Sequence, residues 1–151
     1  MTYEDLSYLS FYHIPLLKEV LELTLKTPLI LNLKIDKNEE LFKLLDNYKG
    51  NVALLSANFR IINWINKERK NYIIGEVVSK RKVINFNFYF IKSDFKSYNI
   101  EYFDKIKVSA MRENSIVLGY LINNRDNLKI YNNMFDGLII DNYLGITSNV
   151  K

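Results

Sequence analysis

YIIGEVVSKRKVINFNFYFI, residues 72–91, is the stretch on which the predicted fold depends. Apolar and polar side chains alternate in its second half, and four large apolar side chains share one face of an extended chain: Ile84, Phe86, Phe88 and Phe90. A period of two is typical of a half-buried β-strand, and such an apolar face needs a second layer to cover it. The pattern predicts two strands joined by a hairpin tip at 80–82.

Strand-like segments continue from this stretch to the end of the chain. They cover residues 99–109, 115–122, 128–131 and 137–141, and polar turns separate them. Short strands at this spacing are typical of a small barrel or a strongly twisted antiparallel sheet. We therefore expect residues 72–146 to form a C-terminal antiparallel, barrel-like sheet.

The N-terminal part has a helical and α/β pattern instead. A helical pattern interrupted at Pro15 precedes a predicted strand at 29–35, a helix at 37–48 and a strand at 52–55. This order predicts a parallel βαβ unit with a right-handed crossover.

The polar run at 66–71 predicts a connector between two lobes. The expected fold class is α+β, in which N-terminal helices and a βαβ unit, residues 1–66, pack on the C-terminal sheet of residues 72–146.

Composition sets broad limits on the class of protein. The 151 residues are 48% hydrophobic and 25% charged, as in ordinary globular proteins. No apolar run approaches the roughly 20 residues of a membrane span. The chain has no cysteine, which excludes disulfides and thiolate metal sites and fits a cytoplasmic protein. We expect no membrane association.

Positive charge is concentrated in residues 58–82. This segment has seven basic and two acidic residues, whereas the rest of the chain has 14 basic and 15 acidic residues. Basic side chains can neutralise phosphates, and aromatic side chains can stack on bases. The predicted nucleic-acid-binding residues are Arg60, Lys67, Arg69, Lys70, Tyr72, Lys80, Arg81 and Lys82. The alternative is a solvated loop with a charged tip that prevents edge pairing.

Aromatic residues suggest a second hypothesis, protein–protein assembly. The chain has 11 tyrosines and nine phenylalanines, and tyrosine is favoured at interfaces. Tyr3, Tyr8 and Tyr12 precede the main fold and would form a docking surface for a protein partner or a second copy. The alternative is that these aromatic side chains pack in the core and at its boundary.

Few residues are suited to catalysis. The single histidine, His13, lies among apolar residues, which favours a boundary position over a catalytic one. The five glycines form no phosphate loop or dinucleotide motif, so no cofactor is expected. Converging carboxylates would hold Mg²⁺ for phosphodiester cleavage, although aspartate is also favoured in turns for its own backbone bonding. The candidate carboxylates are Asp94, Glu101, Asp104, Asp136 and Asp141.

Four short pieces between residues 72 and 122 resemble the HAS-type barrel of HerA-class DNA translocases. They are Ile-Gly-Glu-Val-Val at 74–78, Phe-Asn-Phe at 86–88, Phe-Asp-Lys-Ile-Lys-Val at 103–108 and Leu-Gly-Tyr-Leu at 118–121. Tyr102 stands where that family has a glycine. No nucleotide-binding loop follows, so the resemblance implies a docking or assembly barrel near DNA-processing machinery and no motor activity.

The sequence thus predicts a non-enzymatic module that binds nucleic acid or assembles a nucleic-acid-processing complex. The alternative is an assembly or inhibitory protein of viral or mobile-element type, and the third hypothesis is a metal-dependent nuclease.

Overall fold

The computed structural model describes residues 3–9, 14–34, 37–78 and 92–141. The chain divides into a helical unit, residues 1–29 and 38–52, and a sheet unit, residues 30–37 and 53–151. The helices are α1 (Tyr3–Leu9), α2 (Leu17–Leu23), α3 (Glu39–Asn47), α4 (Phe59–Glu68), α5 (Lys105–Arg112) and α6 (Arg125–Tyr131). The strands are β1 (Leu29–Leu33), β2 (Val52–Ser56), β3 (Ile73–Val78), β4 (Phe95–Asn99), β5 (Ile116–Ile122) and β6 (Gly137–Ile140). A 3₁₀ turn, Ile100–Tyr102, follows β4.

The six strands form one sheet in the order of the chain, β1-β2-β3-β4-β5-β6. The pairs from β2–β3 to β5–β6 are parallel. One row of paired residues runs from Leu55 through Gly75 and Phe95 to Ile116, so these four residues share a face of the sheet. Parallel neighbours cannot be joined by a hairpin and need a crossover connection, usually a helix.

The predicted antiparallel, barrel-like sheet is therefore wrong. The strand next to β3 is β4, and it runs in the same direction. The predicted second strand at 83–91 and its tip at 80–82 lie outside the described residues. The first piece of the HerA-type resemblance, 74–78, lies in a parallel strand, and the piece at 103–108 leads into a helix.

Two segments predicted as strands contain helices because a side-chain cap begins each one. Asp104 Oδ1 accepts hydrogen bonds of 3.1 Å from the backbone N–H groups of Ile106 and Lys107 and begins α5. Asn124 Oδ1 accepts one of 2.8 Å from Asn127 N–H and begins α6. An N-terminal cap satisfies backbone donors that a helix otherwise leaves unpaired. These caps outweigh the short alternation of apolar residues at 99–109 and 128–131.

Other predicted elements are confirmed. The strand–helix–strand order at 29–56 is present as β1, α3 and β2, and Asn38 caps α3 by accepting a 3.0 Å hydrogen bond from Leu41 N–H. The strands predicted at 72–79, 115–122 and 137–141 are present as β3, β5 and β6.

One face of the sheet packs against helices. The core cluster on this face joins buried side chains of β3, β4 and β5 to those of α5 and of two residues outside these elements. Its members are Val78, Tyr98, Ile100, Val108, Met111, Val117, Ile122 and Phe135. Gly119 in β5 leaves room for the ring of Phe135, which a Cβ at this position would approach to 2.7 Å. The opposite face of the sheet is thus left for the cavity described below.

The helical unit has its own buried residues, Leu21 of α2 and Phe42 and Leu45 of α3. Tyr48 Oη donates a 2.9 Å hydrogen bond to the carbonyl of Thr24. Within the described ranges, no helix has both the length and the apolarity that crossing a bilayer requires.

Candidate functional site

A cavity of about 780 Å³ lies on the sheet face opposite the core cluster. Each of the six strands contributes a lining side chain: Ile30, Leu55, Val77, Ser97, Tyr120 and Ile139. In a flat sheet the outer two of six strands would be about 24 Å apart. Side chains of β1 and β6 can line the same cavity only because the sheet curls. The cavity is thus the concave inner face of a curled sheet that does not close into a full barrel.

Three of the five described polar residues that line the cavity lie at the carboxyl edge of the sheet. Lys34 and Asn58 lie just beyond the ends of β1 and β2, and Tyr120 lies opposite Asn99, the last residue of β4. The other two polar residues, Asn32 and Ser97, lie within β1 and β4. Parallel α/β sheets and barrels bind their ligands at the carboxyl edge.

An irregularity in β5 brings two consecutive side chains into the cavity. The pairing with β6 shifts between Gly119 and Ile122, which leaves one extra residue in β5. Tyr120 and Leu121 both line the cavity as a result, while Ile122 returns to the core cluster. Irregularities of this kind are frequent beside functional sites because they change the direction of a side chain.

Tyr120 keeps its phenolic proton at neutral pH. Burial raises the pKa of Tyr120 above its ordinary value of 10.0, and electrostatic interactions with Tyr102 and Glu101 raise it further because they disfavour a phenolate. The hydroxyl of Tyr120 is therefore available as a hydrogen-bond donor at the carboxyl edge.

The turn after β2 is fixed by Ser56, which is fully buried. Its Oγ donates a 2.9 Å hydrogen bond to the carbonyl of Leu33 in β1 and accepts one of 3.1 Å from Asn58 N–H. Asn58 Oδ1 in turn accepts a 3.0 Å hydrogen bond from Arg60 N–H, which begins α4. The positive end of the α4 dipole is thereby placed beside the cavity.

Among the described residues that line the cavity, the positively charged one is Lys34, and its side chain is exposed. Asn32, two residues earlier on β1, also lines it. The sequence interpretation missed both residues, although a signal was present. Strands of parallel sheets are usually covered on both faces and continuously apolar, so the alternation of Asn32 and Lys34 with leucines marks a strand with one open face.

The predicted nucleic-acid-binding residues lie mainly along α4 and the turn after it. Arg60 lies in the first turn of α4 at the carboxyl edge, about 10 Å along the helix from Lys67 in its last turn. Lys67 Nζ lies 3.5 Å from Glu68, and Arg69, Lys70 and Tyr72 follow toward the amino end of β3. Lys80, Arg81 and Lys82 lie outside the described residues. The phosphate-contact role of these residues stays a prediction.

The predicted carboxylates do not converge. Asp94 and Asp136, which we call the strand-start aspartates, lie directly before β4 and β6. Asp94 Oδ2 accepts a 2.8 Å hydrogen bond from the backbone N–H of Ile74 in β3. Asp136 Oδ2 accepts one of the same length from the backbone N–H of Val117 in β5. The other three lie at or beyond the carboxyl edge, with Glu101 in the 3₁₀ turn, Asp104 capping α5 and Asp141 after β6.

Arg112 adds a second interaction to one strand-start aspartate. Its Nε donates a 2.9 Å hydrogen bond to Asp136 Oδ1. Burial raises the pKa of Asp136, but the hydrogen bonds from Val117 N–H and Arg112 outweigh it, so that the pKa falls below its ordinary 3.8. In the part of the chain that the structure covers, no three His, Asp or Glu side chains come together as metal ligands would.

His13 and Tyr12 lie outside the described residues, and Tyr8 in α1 is 92% exposed.

Comparison with solved structures defines the class of fold, a parallel half-barrel resembling a TIM-like barrel. The chain is similar to a glycerophosphodiester phosphodiesterase from Thermotoga maritima, with a TM-score of 0.72 and 14% identity over 92% of this chain and 65% of that one. It is also similar to a protein from Silicibacter pomeroyi DSS-3 assigned as a glycerophosphoryl diester phosphodiesterase, with a TM-score of 0.70 and 12% identity over 85% and 53% of the two chains. No family model matches the chain, and no curated protein matches it in sequence.

At this level of identity the likeness shows the fold, and the chain spans between half and two thirds of each neighbour's length. It overturns the resemblance to a HAS-type small barrel. It also overturns the hypothesis of a non-enzymatic nucleic-acid or assembly module, because that hypothesis depended on a basic hairpin in an antiparallel barrel. The observed strands are parallel, and Lys34, Asn58 and Tyr120 lie at the carboxyl edge instead.

Proposed function

We propose that this chain binds small phosphodiesters of the glycerophosphodiester type in the cavity of its curled parallel sheet. The observation that carries the proposal is the position of the cavity, inside a half-barrel similar to two phosphodiesterases and open to polar groups at the carboxyl edge. Its volume of about 780 Å³ falls within the range of roughly 300–1,000 Å³ that small-molecule sites occupy.

Three features at the carboxyl edge suit a singly charged phosphodiester. The Lys34 ammonium supplies a compact positive charge for the phosphate oxygens. The Tyr120 hydroxyl supplies a neutral donor, and the N-terminal end of α4 adds a positive dipole. These are binding interactions, and they place the phosphodiester above the apolar part of the cavity.

The proposal is limited to binding because hydrolysis needs a general acid or base in reach of the scissile bond. Of the described residues that line the cavity, none is a carboxylate or a histidine.

Isothermal titration calorimetry with glycerophosphocholine at low ionic strength tests the proposal. Lys34→Ala should weaken binding about tenfold, the loss expected from one hydrogen bond to a charged group. Affinity should also fall with added salt, because Lys34 is exposed. Lys129→Ala is the matched control, since Lys129 is an exposed lysine in the last turn of α6.

Absence of binding at millimolar ligand, or equal affinity of the two variants, would overturn the proposal. The same samples can be followed by ³¹P NMR with Mg²⁺ or Ca²⁺ present. A new phosphomonoester signal that Lys34→Ala abolishes would support the proposal and extend it from binding to cleavage.

A further inference from the structure

We infer that the ligand of this cavity carries an aliphatic chain attached to its phosphodiester group, so that the cavity accepts a single-chain amphiphile. The inference rests on the proposed function and goes beyond it, because it assigns a role to the part of the cavity that a polar headgroup does not use.

The walls of the cavity below the carboxyl edge are mostly apolar. They are formed by Ile30, Leu55 and Val77, while Leu121 and Ile139 add apolar side chains at the height of Tyr120. A headgroup made of glycerol and phosphate has few apolar atoms and gains little from such walls, since the gain follows the apolar area removed from water. A hydrocarbon chain would gain along its whole length.

Strand pairing shows that the apolar part extends in one direction, toward the amino ends. Tyr120 lies in the row of Asn99, and the next row toward the amino ends contains Val77 and Ser97. The row after that contains Leu55, Gly75 and Phe95. A ligand held by its phosphate at the carboxyl edge would therefore direct its chain down the strands, across Val77 and toward Leu55.

The lowest of these rows is closed by an aromatic ring. A Cβ at Gly75 would overlap the ring of Phe95, so the ring covers the space that a side chain at residue 75 would fill. Phe95 is buried, at 6% exposure. The row below Val77 thus has an apolar ring on the face of the sheet that bears the cavity, which suits the end of a hydrocarbon chain.

Two apolar residues that line the cavity are partly exposed. Ile30 is 47% exposed and Leu121 is 42% exposed, and they belong to β1 and β5 on the two sides of the cavity. Covering both side chains with a hydrocarbon chain would stabilise the complex without any polar contact. Both residues are suitable for mutagenesis, because a half-exposed residue can be changed with little effect on folding.

Calorimetry with lysophosphatidylcholines of increasing acyl length, each below its micellar concentration, tests the inference against chainless glycerophosphocholine. Affinity should rise roughly threefold for each methylene that enters the cavity, up to about six or eight carbons. Ile30→Ser should weaken binding of the octanoyl compound by about tenfold and leave glycerophosphocholine binding unchanged. Ile130→Ser is the matched control, because Ile130 is 54% exposed on α6, outside the cavity.

The outcomes separate this inference from the proposed function. Equal affinity at every chain length, with glycerophosphocholine still bound through Lys34, would overturn the inference alone. Affinity that rises with chain length on an uncharged maltoside headgroup and ignores Lys34→Ala would overturn the proposed function. Light scattering provides a further check, since a dimer that Ile30→Ser dissociates, with no lysophosphatidylcholine binding, would show that a second copy covers this face and would overturn the inference.

Discussion

Replacing Asp136 by alanine removes the acceptor that joins β5, the start of β6 and α5. The carboxylate accepts a 2.8 Å hydrogen bond from the N–H of Val117, a fully buried residue, and its removal leaves this donor without its partner. A buried donor left without a partner costs about 1–3 kcal/mol. The ion pair with Arg112 adds only about 0–1 kcal/mol, because the two side chains are 31% and 38% exposed. We expect a loss of about 2–3 kcal/mol in the free energy of unfolding.

Urea denaturation measures how the loss of stability divides between the hydrogen bond to Val117 and the ion pair with Arg112. The four proteins compared are wild type, Asp136→Ala, Arg112→Ala and the double variant. Arg112→Ala should cost no more than about 1 kcal/mol, and the coupling energy should be of the same size. Glu113→Ala is the control, since this exposed carboxylate is next to Arg112 in sequence, and its replacement should change stability by less than about 0.5 kcal/mol. If Asp136→Ala costs no more than Arg112→Ala, the hydrogen bond to Val117 is not the main contribution and the reasoning is refuted.

The pH dependence of the same variant gives an independent check. Because the folded pKa of Asp136 lies below its ordinary 3.8, the carboxylate stabilises the fold above about pH 4, and this contribution is lost as the pH falls through the folded pKa. The stability difference between wild type and Asp136→Ala should therefore be constant from pH 5 to 7 and shrink below pH 4. A difference that grows on acidification would contradict the assigned direction.

Three further changes should separate buried from exposed contributions in thermal or urea denaturation. Lys96→Met should lower the free energy of unfolding by about 3–5 kcal/mol, because the fully buried carboxylate of Glu76 loses the ammonium group 3.8 Å away. Adding Glu76→Met should recover most of this loss, and a double variant as unstable as Lys96→Met would contradict the assigned ion pair. Ile122→Ala should cost about 2–5 kcal/mol in the core, against less than about 0.5 kcal/mol for the 82% exposed Ile106. Tyr98→Phe removes a 2.7 Å hydrogen bond to a backbone carbonyl and should cost about 1 kcal/mol; no change would show that the hydroxyl is equally well solvated without it.

Local sequence patterns were sufficient to predict the elements for which they favour a single type of secondary structure. The β1–α3–β2 order followed from the strand pattern at 29–35 and the helical pattern at 37–48, and these elements are present, with Asn38 as the cap of α3. Strand direction was not encoded in the same way, because an alternating segment pairs equally well with a parallel or an antiparallel neighbour. The pairing of β3 was therefore assigned to the wrong partner.

Strand β4 was missed for a tertiary reason. Its sequence, Phe-Lys-Ser-Tyr-Asn, has little of the β-branched character of a buried strand, yet its first four residues are buried. Lys96 lies beside the carboxylate of Glu76 on the neighbouring strand, and its Nζ donates a 3.2 Å hydrogen bond to Ser93. Such a partner from a distant segment makes a buried lysine tolerable, and a single sequence does not show it.

The candidate site was beyond prediction for the same kind of reason. Its polar residues are separated by tens of positions, from Lys34 to Tyr120, and only the curl of the sheet brings them to one cavity. The clustering of basic residues at 58–82 directed attention to a single segment of the chain. In the structure Arg60 and Lys67 lie at the two ends of α4, with Arg69 and Lys70 after it, whereas each of the six strands contributes to the cavity.

The strand-start aspartates have a consequence for how this protein can change. Asp94 and Asp136 secure the amino edge, whereas Lys34 and Tyr120 stand at the opposite edge of the same sheet. Substitutions of Lys34 and Tyr120 that retune specificity therefore leave both strand-start hydrogen bonds in place. Such a scaffold can diverge toward new ligands by altering one rim while the other is conserved, which makes it a tractable starting point for laboratory evolution.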